Sequence, residues 1–516
     1  MNRIELYHSI GKAISWRQPL VWRLALVAIL LLAYALRLND LATRSLWFDE
    51  AIEYWVATAP LDKVLATLSH ATHDPPLYTY LLHFWQRPGM SEFWLRSLSL
   101  LFSMMSVAGV MRLGKDAAGI HAALVAGLLT AVSAADTRYA QETGQYALMV
   151  FTLAWYLVFL RQAALKDGWS HWGLWSVAAA LAIYSHYGSA IVVAATAMLA
   201  LVSSAARRQW AAMWRQVSTG VIAVVLLLPL IFFVIPNQLN RLGSMPQAID
   251  WLAFLRTSEG IIRFQLMGNQ LDGWPWPGIP LWLAWGPVLL AIGVALVKFN
   301  SAISWPVLLI AVWITYYLIS RPGVYFFAPT RHSLLLMPLL MATVATGIIL
   351  VWRWSRPIAL VTLSLIVSFC LLAPREGQEN IRAAAHYWLS HRQPSEITYV
   401  YYGAVPGFRY QLDVAANGLS VNVPPTWYTD CMAGVAAPYC KENDIYYGRW
   451  IRHLSPWEKV ESVLETIGYA PERLWLIFSH VAATEQEDIL AALADNYRLV
   501  DEFEGQNGFA YLLEKR

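Results

Sequence analysis

A chain of 516 residues that is 58% hydrophobic and only 14% charged is too apolar for a water-soluble globular protein, which carries roughly 45–50% apolar and about 25% charged residues. The formal net charge of +3, with no basic stripe interleaved with aromatics, excludes a nucleic-acid binder. The composition is that of a chain folded inside a lipid bilayer.

The basic N-terminal stretch 1–23 runs into a long apolar segment without a small-residue cleavage site, so it is expected to stay as a first helix and not to be removed. Eleven apolar runs follow one another at 20–38, 93–111, 119–135, 145–161, 172–186, 189–205, 217–236, 279–297, 304–320, 332–351 and 357–373. With the N-terminus inside, the inner segments hold about 14 Lys and Arg in about 63 residues, and the outer connectors about 9 in about 122. The expected topology therefore has a cytoplasmic N-terminus, long outer loops and an outer C-terminal region. The fold class is a polytopic α-helical membrane protein of about eleven transmembrane helices (1–373), with a small C-terminal extracytoplasmic α/β domain (374–516), in the plasma (inner) membrane. Most of the 26 Trp and 25 Tyr suit interfacial belts, and some suit stacking against sugar or lipid.

Two outer connectors are too long to be turns. Segment 39–92 is expected to hold short helices at the membrane surface, since LDKVLATLSHAT has helical spacing. Segment 237–278 contains DWLAFLRTSEGIIRFQLM, which reads as an interfacial amphipathic helix, followed by a Trp-Pro-Trp-Pro turn at 274–277. In the tail, helices are expected at 380–390 and 483–496 and strands at 396–402 and 473–478. A hairpin joins 497–503 to 509–513. Cys370 suits an apolar core; Cys431 and Cys440 flank a short polar segment, where either free thiols or a disulfide fits, the latter in an oxidising compartment.

The chemistry-bearing residues gather at the outer ends of the runs. Asp49 and Glu50 follow the first run among Trp47, Phe48 and Trp55; a carboxylate there could accept the proton of an attacking hydroxyl. His73 and Asp74 precede a double proline, which stiffens the backbone. His73 could contact a phosphate, and Asp74 a sugar hydroxyl or a divalent cation. Arg138, Glu142 and Tyr146 fall in the next outer connector, where an acid at a membrane boundary needs a partner or water. Arg96, His186-Tyr187, Arg321, Tyr325, Arg331 and His332 complete the set; the planar fork of Arg suits phosphate. Each has a plainer reading as a solvated acid, a helix start or an interfacial anchor. Their shared face is the stronger signal.

Together these residues resemble the protein-mannosyltransferase-like superfamily of polytopic glycosyltransferases, the GT-C fold, which includes the protein O-mannosyltransferases and the aminoarabinose transferase of lipid A. The matching text is SLWFDEA (45–51), HDPPLYTYLLHFW (73–85), SEFWLRSLSLLF (91–102), RYAQETGQYAL (138–148), YSHYG (184–188) and RHSLLLMPLL (331–340), spread over about residues 37–350. The resemblance implies transfer of a sugar from a polyprenyl-phosphate carrier (undecaprenyl phosphate in a bacterial host) to a protein, lipid or glycan acceptor at the outer leaflet, usually with inversion. It implies Asp49 as the base with Glu50 beside it. His73, Asp74, Arg96, Arg138, Glu142, Tyr146, His186 and Arg331 are the implied substrate contacts. A divalent cation, if used, would sit on Asp49 or Asp74. One position departs from the pattern: bacterial members often read QEAR-x-Tyr in the third motif, and Gly144 replaces that Arg, which implies a shifted substrate or a weaker grip on the donor. A transporter of polyprenyl-linked sugars would place its ionisable residues mid-membrane on broken, repeated helices, and a non-catalytic scaffold would show no turnover.

Overall fold

The computed structural model describes residues 20–239, 251–268, 282–298, 304–323, 325–373, 379–416, 426–433, 440–442, 444–451, 454–482 and 484–516. Over its described residues, each of the eleven apolar runs falls on helix, from Leu20–Leu38 to Arg356–Leu372. Among the described residues, six helices are long and apolar enough to cross a membrane: Leu20–Leu38, Glu92–Ala118, Tyr146–Lys166, Ser189–Ala206, Trp210–Gln238 and Arg331–Trp354. Ile120–Val132 and Ala134–Ala140, bent by 62° at Ser133, make a seventh if taken as one span. The chain is a multi-pass membrane protein. The 274–277 turn lies outside the described residues, whereas the amphipathic stretch before it forms the helix Trp251–Met267.

Apolar side chains gain little by leaving lipid for another helix, so close backbone approach and polar links hold such a bundle. Helix Met337–Trp354 is its buried centre, and at Gly347 an added Cβ would overlap the Ala291 carbonyl of helix Trp282–Lys298. The polar link is Arg37, in the last turn of the first helix. It is fully buried, pairs with Asp136 at 2.5 Å, and donates to Ser103 Oγ (2.7 Å) and the Thr130 and Ala131 carbonyls (3.0 Å each). Arg in an apolar run requires such a partner, and here it clamps the bend at Ser133 onto the first helix.

After Leu372 the chain builds one mixed sheet. Its strands are β1 Ile397–Val400, β2 Lys441–Glu442, β3 Ile445–Tyr447, β4 Arg473–Ser479, β5 Tyr497–Gly505 and β6 Gly508–Lys515, in the order β2-β3-β1-β4-β6-β5. β1 runs parallel to β3 and β4; the remaining pairings are antiparallel. β1 and most of β4 are buried residue after residue, which is why they read as continuous apolar runs. A disulfide joins Cys431 to Cys440.

The first long connector holds short helices, Val64–Ala71 among them as expected from its spacing. It is also packed against the tail: Leu46, Ala51, Tyr54, Trp55 and Ala57, at and in its helix Phe48–Thr58, share one apolar core with Trp388, Tyr399, Phe408, Trp427 and Trp475. Arg382 binds Glu92 (2.9 Å) and the Arg44 carbonyl (2.8 Å), and the Tyr410 hydroxyl donates to the Met90 carbonyl (2.8 Å). Arg409, buried, lies 4.7 Å from the ring centres of both Trp55 and Trp427. The connector and the tail are one packed layer.

Candidate active site

The helix Phe48–Thr58 starts with Asp49 and Glu50 in its first turn, where acids complement the positive end of the helix dipole. Consecutive helical residues point about 100° apart, so the two acids reach different surroundings. Glu50 turns inward. Its carboxylate takes a two-pronged bond from Arg96 (Nε–Oε1 2.8 Å, Nη2–Oε2 2.6 Å) and accepts the backbone N–H of Thr143 (2.7 Å) and of Trp47 (3.2 Å). Arg96 spends its remaining reach on the carbonyls of Leu41, Arg44 and Ser45 at 2.8–3.0 Å. Both side chains are 1% exposed.

Asp49 turns outward. Its Oδ2 pairs with Arg331 Nη1 at 2.5 Å, and the two side chains remain 37% and 30% exposed. Arg331 comes from a segment distant along the chain, on the 3-10 turn Arg331–Leu336, and its guanidinium carbon lies 5.4 Å and 5.3 Å from the ring centres of Trp47 and Tyr146. Two further acids feel this pair. Asp74 is pushed up to about 6 by burial, with Arg331 opposing and Asp49 adding to the rise. Its Oδ1 accepts from Gln145 Nε2 (2.7 Å), and its carbonyl accepts from Gln238 (3.0 Å). Glu142 is buried and pushed up to about 7, again by desolvation, with Arg331 and Arg138 opposing. Its Oε2 has no hydrogen-bond partner among the described residues, a costly state for a buried carboxylate oxygen. Deeper still, Glu53 accepts from Thr79 Oγ1 (2.6 Å) and is raised to about 8 by burial.

The wall is aromatic. His186 is buried, accepts from the Gly188 N–H at Nδ1 (3.0 Å), and its ring lies 5.4 Å from Tyr146, 6.0 Å from His332 and 6.2 Å from Tyr325. Gly188 is required here, because a Cβ would overlap the Tyr325 hydroxyl. At Gly144, by contrast, a Cβ would meet nothing nearer than Glu142 Oε1 at 3.6 Å.

Of the residues singled out in the sequence, Asp49, Asp74, Arg138, Glu142, Tyr146, His186 and Arg331 converge on this one region. Glu50 and Arg96 do not open onto it, since they are sealed against each other behind it. His73 is exposed on the loop one residue before Asp74, and Arg321 is exposed beyond the last turn of its helix. Sequence reasoning missed Gln238, which arrives at the end of the helix Trp210–Gln238, and Glu379, whose carboxylate accepts the Phe48 N–H (3.2 Å) and pairs with His480 (2.5 Å). Nothing in the stretch PREGQEN (374–380) past the last apolar run marks Glu379 over Glu376. Among the described residues no group of three or more His, Cys, Asp and Glu is placed to hold a metal ion, and both carboxylates nominated for one, Asp49 and Asp74, are engaged by Arg331 and Gln145.

Residues 73–233 match the family described as dolichyl-phosphate-mannose-protein mannosyltransferase. No curated protein matches the chain in sequence. Among solved structures, ArnT from Cupriavidus metallidurans in the apo state superimposes with a TM-score of 0.59 at 12% identity, covering 94% of this chain and 97% of that one. The same protein bound to undecaprenyl phosphate gives 0.55 over the same shares, at the same identity. The apo oligosaccharyltransferase from Archaeoglobus fulgidus gives 0.52 at 12% identity, over 96% of this chain and 75% of that one. The chain thus resembles the protein-mannosyltransferase-like superfamily in the pattern of residues 73–233, and it shares the fold of these solved structures along nearly its whole length.

Proposed function

We propose that the chain is a glycosyltransferase that moves a sugar from a polyprenyl-phosphate carrier to an acceptor hydroxyl, with Asp49 as general base. The observation that carries this reading is the Asp49–Arg331 pair: an accessible carboxylate held against an arginine in a region that also feels Asp74 and Glu142. As the acceptor oxygen bonds to the anomeric carbon, its proton passes to an Asp49 carboxylate oxygen. The bond from that carbon to the carrier phosphate breaks with its electron pair on the phosphate, so attack from the opposite face inverts the centre. Arg331 offers its planar fork to the departing phosphate, and rings on two sides restrict where that fork can go. Arg138 is a further phosphate contact; Asp74 and Glu142, raised by burial, can donate or accept at sugar hydroxyls. Tyr146 and His186 wall the sugar. Glu50 and Arg96 position the turn that presents Asp49.

In this reading the eleven helices all cross the inner membrane, the N-terminus is cytoplasmic, and the division at 373 separates the bundle from an extracytoplasmic α/β domain. The Cys431–Cys440 disulfide supports an oxidising surrounding for that domain. The bound carrier in the Cupriavidus protein supports a polyprenyl phosphate here.

The test is transfer from a panel of radiolabelled polyprenyl-phosphate sugars by purified protein in lipid, beside Asp49→Asn, each with and without EDTA. Transfer that requires Asp49 is the expected result. Undiminished transfer by the Asn variant removes Asp49 as base. No transfer from any donor by folded protein turns the reading toward a transporter or a scaffold. Loss of activity in EDTA, restored by a divalent cation, would add a metal.

A further inference from the structure

A second concavity, of about 360 Å³, opens in the tail at the carboxyl ends of the parallel strands β3, β1 and β4. In open α/β sheets ligands sit at this end of the strands, and the volume falls at the lower end of the range for ligand pockets, about 300–1,000 Å³. Phe48, Tyr402 and Trp450 give it aromatic surface, and Glu379, His480 and Asn507 give it polar groups. Trp450 is 41% exposed, tilted against Tyr402 at 4.9 Å between ring centres, and Phe48 stacks on His480 at 4.6 Å. His480 holds a left-handed backbone (φ 52°), which an ordinary residue adopts only when its surroundings impose it. It is fixed there by its pairing with Glu379 and its stacking on Phe48.

The chemistry of this lining selects a class of ligand. Among the described residues no Lys or Arg lines the cavity, which leaves that lining without the cation that best matches a phosphate, of a carrier or of a phosphorylated lipid. Aromatic faces beside a carboxylate, an amide and an imidazole suit a pyranose ring, whose C–H faces are apolar and whose hydroxyls both donate and accept. Phe48 belongs to this cavity while its neighbour Asp49 belongs to the Arg331 cluster, so the two regions are one residue apart along the chain.

We propose that this cavity binds a neutral sugar ring of the acceptor, making the acceptor a saccharide or a saccharide-bearing molecule. The acceptor role rests on the transferase reading; the binding site does not. The experiment is calorimetric titration of full-length protein in lipid nanodiscs with mannotriose, maltotriose and N-acetylchitotriose. At least one is expected to bind. Trp450→Ala should weaken it tenfold or more, and Trp450→Tyr, which keeps a stacking face, should recover most of the affinity. Asn507→Gly removes the amide while suiting the left-handed backbone at that position (φ 52°), and should weaken binding severalfold. Asp49→Asn should leave binding intact. Binding by none of the three saccharides overturns the proposal, as does binding that Trp450→Ala leaves unchanged or that inorganic phosphate competes away. The transfer assay is read separately. Saccharide binding without transfer would sink the transferase reading alone, and Asp49-dependent transfer without saccharide binding would sink this one alone.

Discussion

Asp49 and Glu50 are neighbours on one helical turn, and each is paired with an arginine from a distant segment, yet the two pairs are opposites. Glu50 and Arg96 are closed to solvent, and their oxygens and nitrogens also engage backbone carbonyls and N–H groups of two loop segments. Charges removed from water are tolerated only with that degree of satisfaction. The Asp49–Arg331 pair keeps about a third of each side chain in solvent, where such pairs contribute only about 0–1 kcal/mol. An ion pair that is cheap to open suits a base that must exchange its arginine for a substrate proton. The sealed pair does the opposite work: it fixes the turn on which Asp49 stands.

The largest way to break this contrast is chemical. Asp49→Asn should reduce transfer by about 10²–10⁴-fold, the usual contribution of a general base, while thermal unfolding stays near wild type. Arg96→Met should act on folding instead. Uncovering Glu50 should cost about 3–5 kcal/mol, seen as loss of monodisperse protein in detergent, with partial recovery when Glu50→Leu is added. A folded, slow Arg96→Met enzyme would erase the distinction. Arg331→Lys keeps the charge but loses the planar fork; the expected outcome is a rise of about tenfold in donor KM, with a smaller change in kcat. Glu53→Gln tests the buried acid behind the site. Its folded pKa lies above the unfolded value, so its stabilising contribution is complete below about pH 4.5 and is lost as pH rises through about 8. Wild type should therefore lose several degrees of Tm between pH 6 and 9, and the Gln variant should flatten that slope. Gly144→Ala should do least, with activity within about twofold, because the added Cβ meets only ordinary contact.

Much of this layout is legible in the sequence because hydrophobic runs and turn residues are local signals. Over their described residues all eleven runs are helices, and β1, β4 and the final hairpin fall where alternation and apolar runs put them. The helices Val405–Ala415 and Pro456–Ile467 were not foreseen, although Pro in the first turn of each, and Ser455 with Glu458 as a capping box, mark their starts. The outward Asp49 and the inward Glu50 could not be told apart, since both sit in WFDE and only three-dimensional packing decides which one meets Arg96. The match of Arg37 to Asp136, 99 residues away, was implied by an arginine in an apolar run, but its partner was not. The union of the first connector with the tail left no local trace, because Trp55 and Trp427 read equally well as interfacial aromatics.

That union bears on how the molecule is made. Leu46, Tyr54 and Trp55 emerge from the ribosome more than 300 residues before Phe408, Trp427 and Trp475, the side chains that enclose them. For most of synthesis the segment carrying Asp49 has been delivered to its side of the bilayer without its cover. The helical bundle can assemble as it is inserted, but the turn that carries Asp49 waits for the last third of the polypeptide, so a ribosome stalled near the end of the bundle leaves an anchored protein with that turn uncovered.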